Sequence, residues 1–270
     1  MPTVRTGPVF GLIAQVVLLA CLAGTVGLGS SGWVAGIAYG VITCAALTHC
    51  MHRLRAEAFG PADWVTQARA TLVGGVAALT ADSFQRPVPV ALLVGLTIVA
   101  LILDGVDGQV ARRTGTVSAL GWHFDMEVDS SLILVLGVYV ARPFGGWVLT
   151  LGLMRYAFVA AMWVLPWMRQ TLPPRYWRKA VAATQGVALV AATADVLPRL
   201  LTEGVLVAAL VLLVESFGRD VLWLWLRRPV TVPVPAHPVP ARPVPVARVA
   251  RVRDLGRLRP LQGVQTSKIF

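Results

Sequence analysis

Eight apolar segments, each near the roughly 20 residues that a helix needs to cross a bilayer, fill most of this chain between residues 9 and 226. They run over approximately 9–29, 32–50, 64–81, 87–104, 118–140, 145–166, 180–199 and 203–226, with short polar stretches between them. Inside hydrocarbon every backbone N–H and C=O has to find a partner within the protein, so runs of this length predict helices. Composition agrees. Of 270 residues, 56% are hydrophobic and only 14% charged, against about a quarter charged in an ordinary soluble domain. So few charges cannot cover a globule, which argues against a soluble protein with buried helices. The sequence therefore predicts an all-α fold, a polytopic helical membrane bundle. The third and fourth segments are the least apolar, because polar groups interrupt them.

Basic residues in the connections set the expected orientation. One set of loops holds His52, Arg53 and Arg55, then Arg112 and Arg113, then Arg169, Arg175, Arg178 and Lys179, then the C-terminal tail. The opposite set holds only Arg86, Arg142 and Arg199. Eight spans make these sets alternate and put both termini on the cytoplasmic side of the cell membrane. Leu18-Leu19-Ala20-Cys21 resembles a lipoprotein cleavage box, but leucine fits poorly before the small residue and Arg5 alone charges the n-region. An uncleaved first helix is the expectation.

Residues 51–63 read as a short interfacial helix ended by Gly60-Pro61. After Leu226 the chain alternates Val-Pro and Ala-Pro steps and carries nine basic residues against Asp254, which predicts an extended tail suited to an anionic lipid surface. No nucleic-acid motif accompanies that charge. Cys21, Cys44 and Cys50 form no framework and read as small hydrophobes. Neither the first two spans nor the tail carries a chemical constellation. The expected organisation is 1–56 as two extra N-terminal transmembrane helices with a juxtamembrane segment, 57–226 as a six-helix catalytic core, and 227–270 as the tail.

The chemistry centres on Asp104, Asp107, Asp125 and Asp129. The chain has 13 acidic residues, and four of them cluster at the cytoplasmic ends of two apolar segments. A carboxylate near hydrocarbon costs several kcal/mol unless it is paired or solvated. Asp104 and Asp107 stand at i, i+3 and Asp125 and Asp129 at i, i+4, with Gly121 one turn earlier, so each pair shares a helix face. Two facing helices can present all four to one point. Those faces hold too few basic residues to balance them, and hard divalent cations are the natural counter-charge. All-oxygen ligands suit Mg²⁺, Mn²⁺ or Ca²⁺, not zinc. Two such ions, about 3.5–4 Å apart, can clamp a diphosphate. Gly105 and Gly108 remove bulk where a phosphate or nucleotide approaches, and Arg112 and Arg113 supply donors. The bland alternative is that these acids cap helices or mark an interface. An EF-hand is excluded, because Asp-x-x-Asp-Gly lacks the other ligands of its loop. A cation-binding membrane transporter or channel would place acids at mid-bilayer within an internal repeat, and no repeat is visible.

Asp104, Asp107, Gly108, Ala111, Arg112, Gly121, Asp125 and Asp129 meet every spacing of D-x2-D-G-x2-A-R-x8-G-x3-D-x3-D. With this motif the chain resembles the CDP-alcohol phosphatidyltransferases, over about residues 60–226. The resemblance implies that Asp104, Asp107 and Asp125 ligate two divalent metal ions, Mg²⁺ or Mn²⁺, and that Asp129 completes the site or acts as base toward the acceptor hydroxyl. It implies that Gly108, Ala111 and Gly121 make room for the CDP moiety and that Arg112 helps to hold the site or its phosphates. The implied reaction is attack by a small alcohol or polyol phosphate on the lipid-bearing phosphate of CDP-diacylglycerol or another CDP-alcohol, with release of CMP, in phospholipid biosynthesis. Such enzymes are commonly homodimers. Asp63, Thr66 and Arg69 fall where many relatives read N-x-x-T-x-x-R. Asp63 replaces the Asn, and Thr66 and Arg69 become candidates for nucleotide or phosphate contact, against helix capping and snorkelling.

Arg155, inside the sixth span, is a weak candidate for an anionic acceptor, against a plain ion pair with an acid. Lys179 and Gln185 match a Lys-x5-Gln of phosphatidylglycerophosphate synthases and offer a second weak acceptor contact. His123 lies off the carboxylate face and reads as solvated, and most tryptophans sit near span ends as an aromatic belt.

Overall fold

The computed structural model describes residues 7–54, 60–114, 118–169 and 176–227. Among them are eight α-helices and no strand. In chain order these are α1 (Gly7–Val26), α2 (Ser30–Leu54), α3 (Pro61–Asp82), α4 (Val90–Thr114), α5 (Ala119–Phe144), α6 (Leu149–Val164), α7 (Tyr176–Ala194) and α8 (Arg199–Leu226), with 3-10 turns at Gly146–Val148 and Pro166–Arg169. Each expected apolar segment holds one α-helix. The proline-rich tail lies outside the described residues from 228 onward.

Five stretches are long and apolar enough to cross a membrane: α1, α2, Val90–Val110 of α4, Gly146–Val164 and α8. Eight crossings were expected, but α3, α5 and α7 fall short of that measure, while α4, expected with α3 to be among the least apolar, meets it. Of those three, α3 is the clearest case. It packs against α1, α2, α4 and α5, and Asp63, Thr66, Gln67, Arg69, Thr80 and Asp82 are all buried along it. A helix polar at several angles can lie at membrane depth only where protein, not lipid, surrounds it.

Local chemistry fixes the ends. Pro61 opens α3 at the position where a missing N–H costs nothing, and Asp63 Oδ2 reaches back to accept the Gly60 N–H at 2.8 Å. Ser118 caps α5, its hydroxyl accepting the Gly121 N–H at 2.9 Å. Buried Asp82, at the end of α3, caps the start of α2. It accepts the Gly29 and Gly32 N–H groups at 2.9 and 3.2 Å and the Ser31 hydroxyl at 2.8 Å. The Gly32 N–H belongs to the opening turn of α2 and the Gly29 N–H to the residue just before it, where the helix offers no acceptor. Arg86 closes the cluster as the counter-ion of Asp82. At Gly152 of α6 a Cβ would come within 2.5 Å of the Leu134 Cα, so α5 and α6 meet backbone to backbone there.

Two expectations change. Residues 51–54 continue α2 instead of starting a separate interfacial helix, because Met51 is buried in the core and holds the chain helical. Pro61–Asp63 form the first turn of α3, and residues 55–59 lie outside the described segments. α4 runs on to Thr114 rather than stopping at 104. Its apolar run ends there, but backbone bonding does not, and single glycines such as Gly105 and Gly108 lower helix stability by only about 1 kcal/mol each.

Candidate active site

Three helices meet at one guanidinium. Arg69 of α3 is fully buried. Its Nη1 lies 3.0 Å from Asp104 Oδ1, 2.8 Å from Asp107 Oδ2 and 2.5 Å from Asp125 Oδ1, and its Nη2 pairs with Asp129. α4 supplies the first two acids from one face and α5 the other two. The face-sharing read from the sequence therefore brings all four carboxylates together. The cation among them comes from a third helix, and spacing along α4 and α5 gives no sign of it. The Thr66 hydroxyl, one turn before Arg69, stands 3.1 Å from Asp107 Oδ2 and 3.2 Å from the Ala62 carbonyl.

The arrangement is not balanced. One positive charge faces four negative ones, and Nη1 has two hydrogens for three carboxylates. The Arg69 Nε is buried without a hydrogen-bond partner. Asp107 is enclosed, with 7% of its side chain exposed, while Asp104, Asp125 and Asp129 keep 42%, 35% and 37%. The quartet is thus reachable from one side. One oxygen each from Asp104, Asp107 and Asp125 lies within 4.8 Å of the others. An all-oxygen, under-neutralised, partly open set of this kind fits hard divalent cations.

The other sequence candidates spread around this centre. Gly108 is half-buried one turn beyond Asp104. Ala111 and Arg112 lie on the last turns of α4, and their side chains fall outside the described ones. Gly121 leaves room for Asp63, whose Oδ1 would stand 2.8 Å from a Cβ there. The substituted acid of the N-x-x-T-x-x-R stretch is therefore used in capping α3 and packing it on α5. Arg155 Nη2 pairs with Glu127 Oε1 at 2.6 Å, the ion-pair alternative for that residue. Lys179 is exposed on α7, close enough to act electrostatically on Asp104. Gln185 is buried, with its Nε2 unpartnered. His123 is exposed and stacks edge-on with Trp122 at 4.8 Å.

Comparison with known proteins gives a consistent picture. Residues 59–215 match the family model described as CDP-alcohol phosphatidyltransferase. A 60-residue stretch is 47% identical to the archaetidylinositol phosphate synthase of Aeropyrum pernix, covering 22% of this chain and 29% of that relative. The match thus spans under a third of the relative's length. No solved structure matches the chain.

Proposed function

The chain belongs to the CDP-alcohol phosphatidyltransferase family, and from that premise we propose that it moves a substituted phosphate from a CDP-linked donor onto an alcohol, releasing CMP, as a step in phospholipid biosynthesis. The convergence of Asp104, Asp107, Asp125 and Asp129 on one point carries this reading. The donor is CDP-diacylglycerol, its acyl chains in lipid and its diphosphate at the open side of the quartet. A cation pathway is disfavoured by the family match over residues 59–215.

In this reading the four aspartates hold two divalent ions, Mg²⁺ or Mn²⁺. Bound there, the ions would neutralise the diphosphate and the charge that develops on the transferred phosphate. The protein's own groups do the rest. Asp129, more than a third exposed, accepts the proton of the attacking hydroxyl. Thr66 steadies the enclosed Asp107, and Arg69 keeps four like charges within reach of one another. Gly108 and Ala111 leave space for the CDP moiety and Arg112 serves its phosphates, whereas the space at Gly121 is taken by Asp63. Lys179 and Arg155 are the cations for an anionic acceptor, and Arg155 would have to share itself with Glu127. The active site and both termini face the cytoplasm at the cell membrane, and the working unit is a homodimer.

The name of the Aeropyrum relative puts an inositol phosphate first among the acceptors to try, ahead of glycerol 3-phosphate and other polyols or lipids. The test is CMP release by the purified full chain from CDP-diacylglycerol with that panel. The expected result is release with one acceptor, abolished by chelation of divalent ions and lowered on the order of 10²–10⁴-fold in Asp129→Asn. Metal-independent release, unchanged release in the variant, or no release with any acceptor would each overturn the reading.

A further inference from the structure

α1 and α2 precede residue 59, where the family match begins, yet α2 reaches the helix that carries half of the acidic quartet. The Tyr39 hydroxyl of α2 stands 3.0 Å from Ser131 Oγ of α5. Ser131 donates its own hydrogen to the Val128 carbonyl at 2.8 Å, so its free lone pair receives the Tyr39 proton. The turn pinned in this way, Val128 to Ser131, contains Asp129.

α2 is itself fixed to α3. At one end Asp82 binds the opening turn of α2. Farther along, Gly36 brings α2 against Leu19 of α1 and Ala78 of α3. Three helices therefore close a ring of ties: α2 to α3 through Asp82, α3 to α5 through Arg69, and α5 to α2 through Tyr39 and Ser131. The carboxylates of α4 and α5 repel one another, which favours separation of α5 from α4. A tie to α2, itself fixed to α3, resists that drift without adding charge to the site.

We propose that Tyr39 is a positioning residue for the acidic site, its hydroxyl fixing where α5 presents Asp129 and thereby the affinity of the quartet for divalent cations. The inference rests on the metal-site reading above. The aromatic ring fills space in either case, and the hydroxyl adds the direction. One neutral hydrogen bond is worth about 1 kcal/mol net, so the expected effect is about a fivefold change in affinity.

Mn²⁺ binding to the purified full-length protein in detergent, followed by electron paramagnetic resonance of free Mn²⁺, tests this without substrate. Wild type is expected to bind. Tyr39→Phe should weaken binding about fivefold, Ser131→Ala should do the same, and the double variant should be no weaker than either, as for two ends of one bond. General loosening of the fold would instead give effects that add. Additive effects, or wild-type affinity in Tyr39→Phe, overturn the role of Tyr39. Absence of Mn²⁺ binding by wild type overturns the metal reading itself, and this inference with it, and is visible in the first titration.

Discussion

Replacing Arg69 with methionine isolates the electrostatic problem at the centre of this protein. The substitution keeps a long, flexible side chain and deletes the one cation that four carboxylates share. Removing one partner of a buried ion pair costs about 3–5 kcal/mol, because it strands the other charge. Asp104, Asp125 and Asp129 each keep a third or more of their side-chain exposure, and water relieves part of the cost, so the lower figure of about 3 kcal/mol applies. For a chain of this size that corresponds to a fall in unfolding midpoint of roughly 6–12 °C. The fall should depend on metal. A divalent cation bound to the folded state alone stabilises it by mass action, and the quartet without its guanidinium attracts such an ion more strongly. Thermal unfolding in detergent with chelator, and then over a Mn²⁺ titration, reads both effects. Arg69→Met should unfold earlier than wild type in chelator and recover more of its midpoint as Mn²⁺ rises. If the variant is as stable as wild type in chelator, or gains no more than wild type from Mn²⁺, Arg69 is not the counter-charge described here.

Two further outcomes follow from the same contacts. Asp82→Asn keeps the shape but halves the acceptor capacity that serves Gly29, Ser31, Gly32 and Arg86. It should lower the unfolding midpoint by several degrees, about 1–2 kcal/mol for a weakened helix cap, and an unchanged midpoint would show that the α2–α3 tie contributes nothing. Thr66→Val removes a donor to Asp107, and its shared, 3.1 Å geometry puts the loss at the low end of hydrogen bonds to charged groups, about 1.5 kcal/mol. CMP release should fall roughly tenfold, and full activity in the variant would remove Thr66 from the site.

Five of the eight helices were legible because bilayer thickness imposes a length that hydropathy records directly, while α3, α5 and α7 showed only as apolar runs that fall short of that measure. Helix ends were less legible. α4 continues to Thr114 on backbone bonding after its apolar run stops at Asp104, and residues 51–54 stay in α2 because Met51 is buried, which no local pattern reveals. The two acidic pairs were legible because i, i+3 and i, i+4 spacing is a property of a single helix. What lies between helices was hidden. Arg69 stands out in the sequence as an arginine within a span, but its position among the acids depends on how α3 packs against α4 and α5. Glu127 lies 28 residues from Arg155, and Tyr39 lies 92 residues from Ser131. Pairs so far apart carry no periodic signal, so the sequence left Arg155 between an anionic acceptor and an ion pair.

The polarity of α3 also bears on how the protein is made. A helix containing Asp63, Arg69 and Asp82 gains little by entering lipid alone, since an arginine at a helix centre disfavours insertion by about 2.5–3.5 kcal/mol and Arg69 lies inside α3, with the aspartates near its two ends adding to that. Its terminal aspartate is satisfied by a helix synthesised before it, α2, and its arginine by acids synthesised after it, on α4 and α5. As the ribosome delivers the chain, α3 therefore reaches a stable resting place only once α5 has emerged. Insertion of this protein is then cooperative, α3 settling as the helices that enclose it arrive and coming to rest among protein rather than among acyl chains.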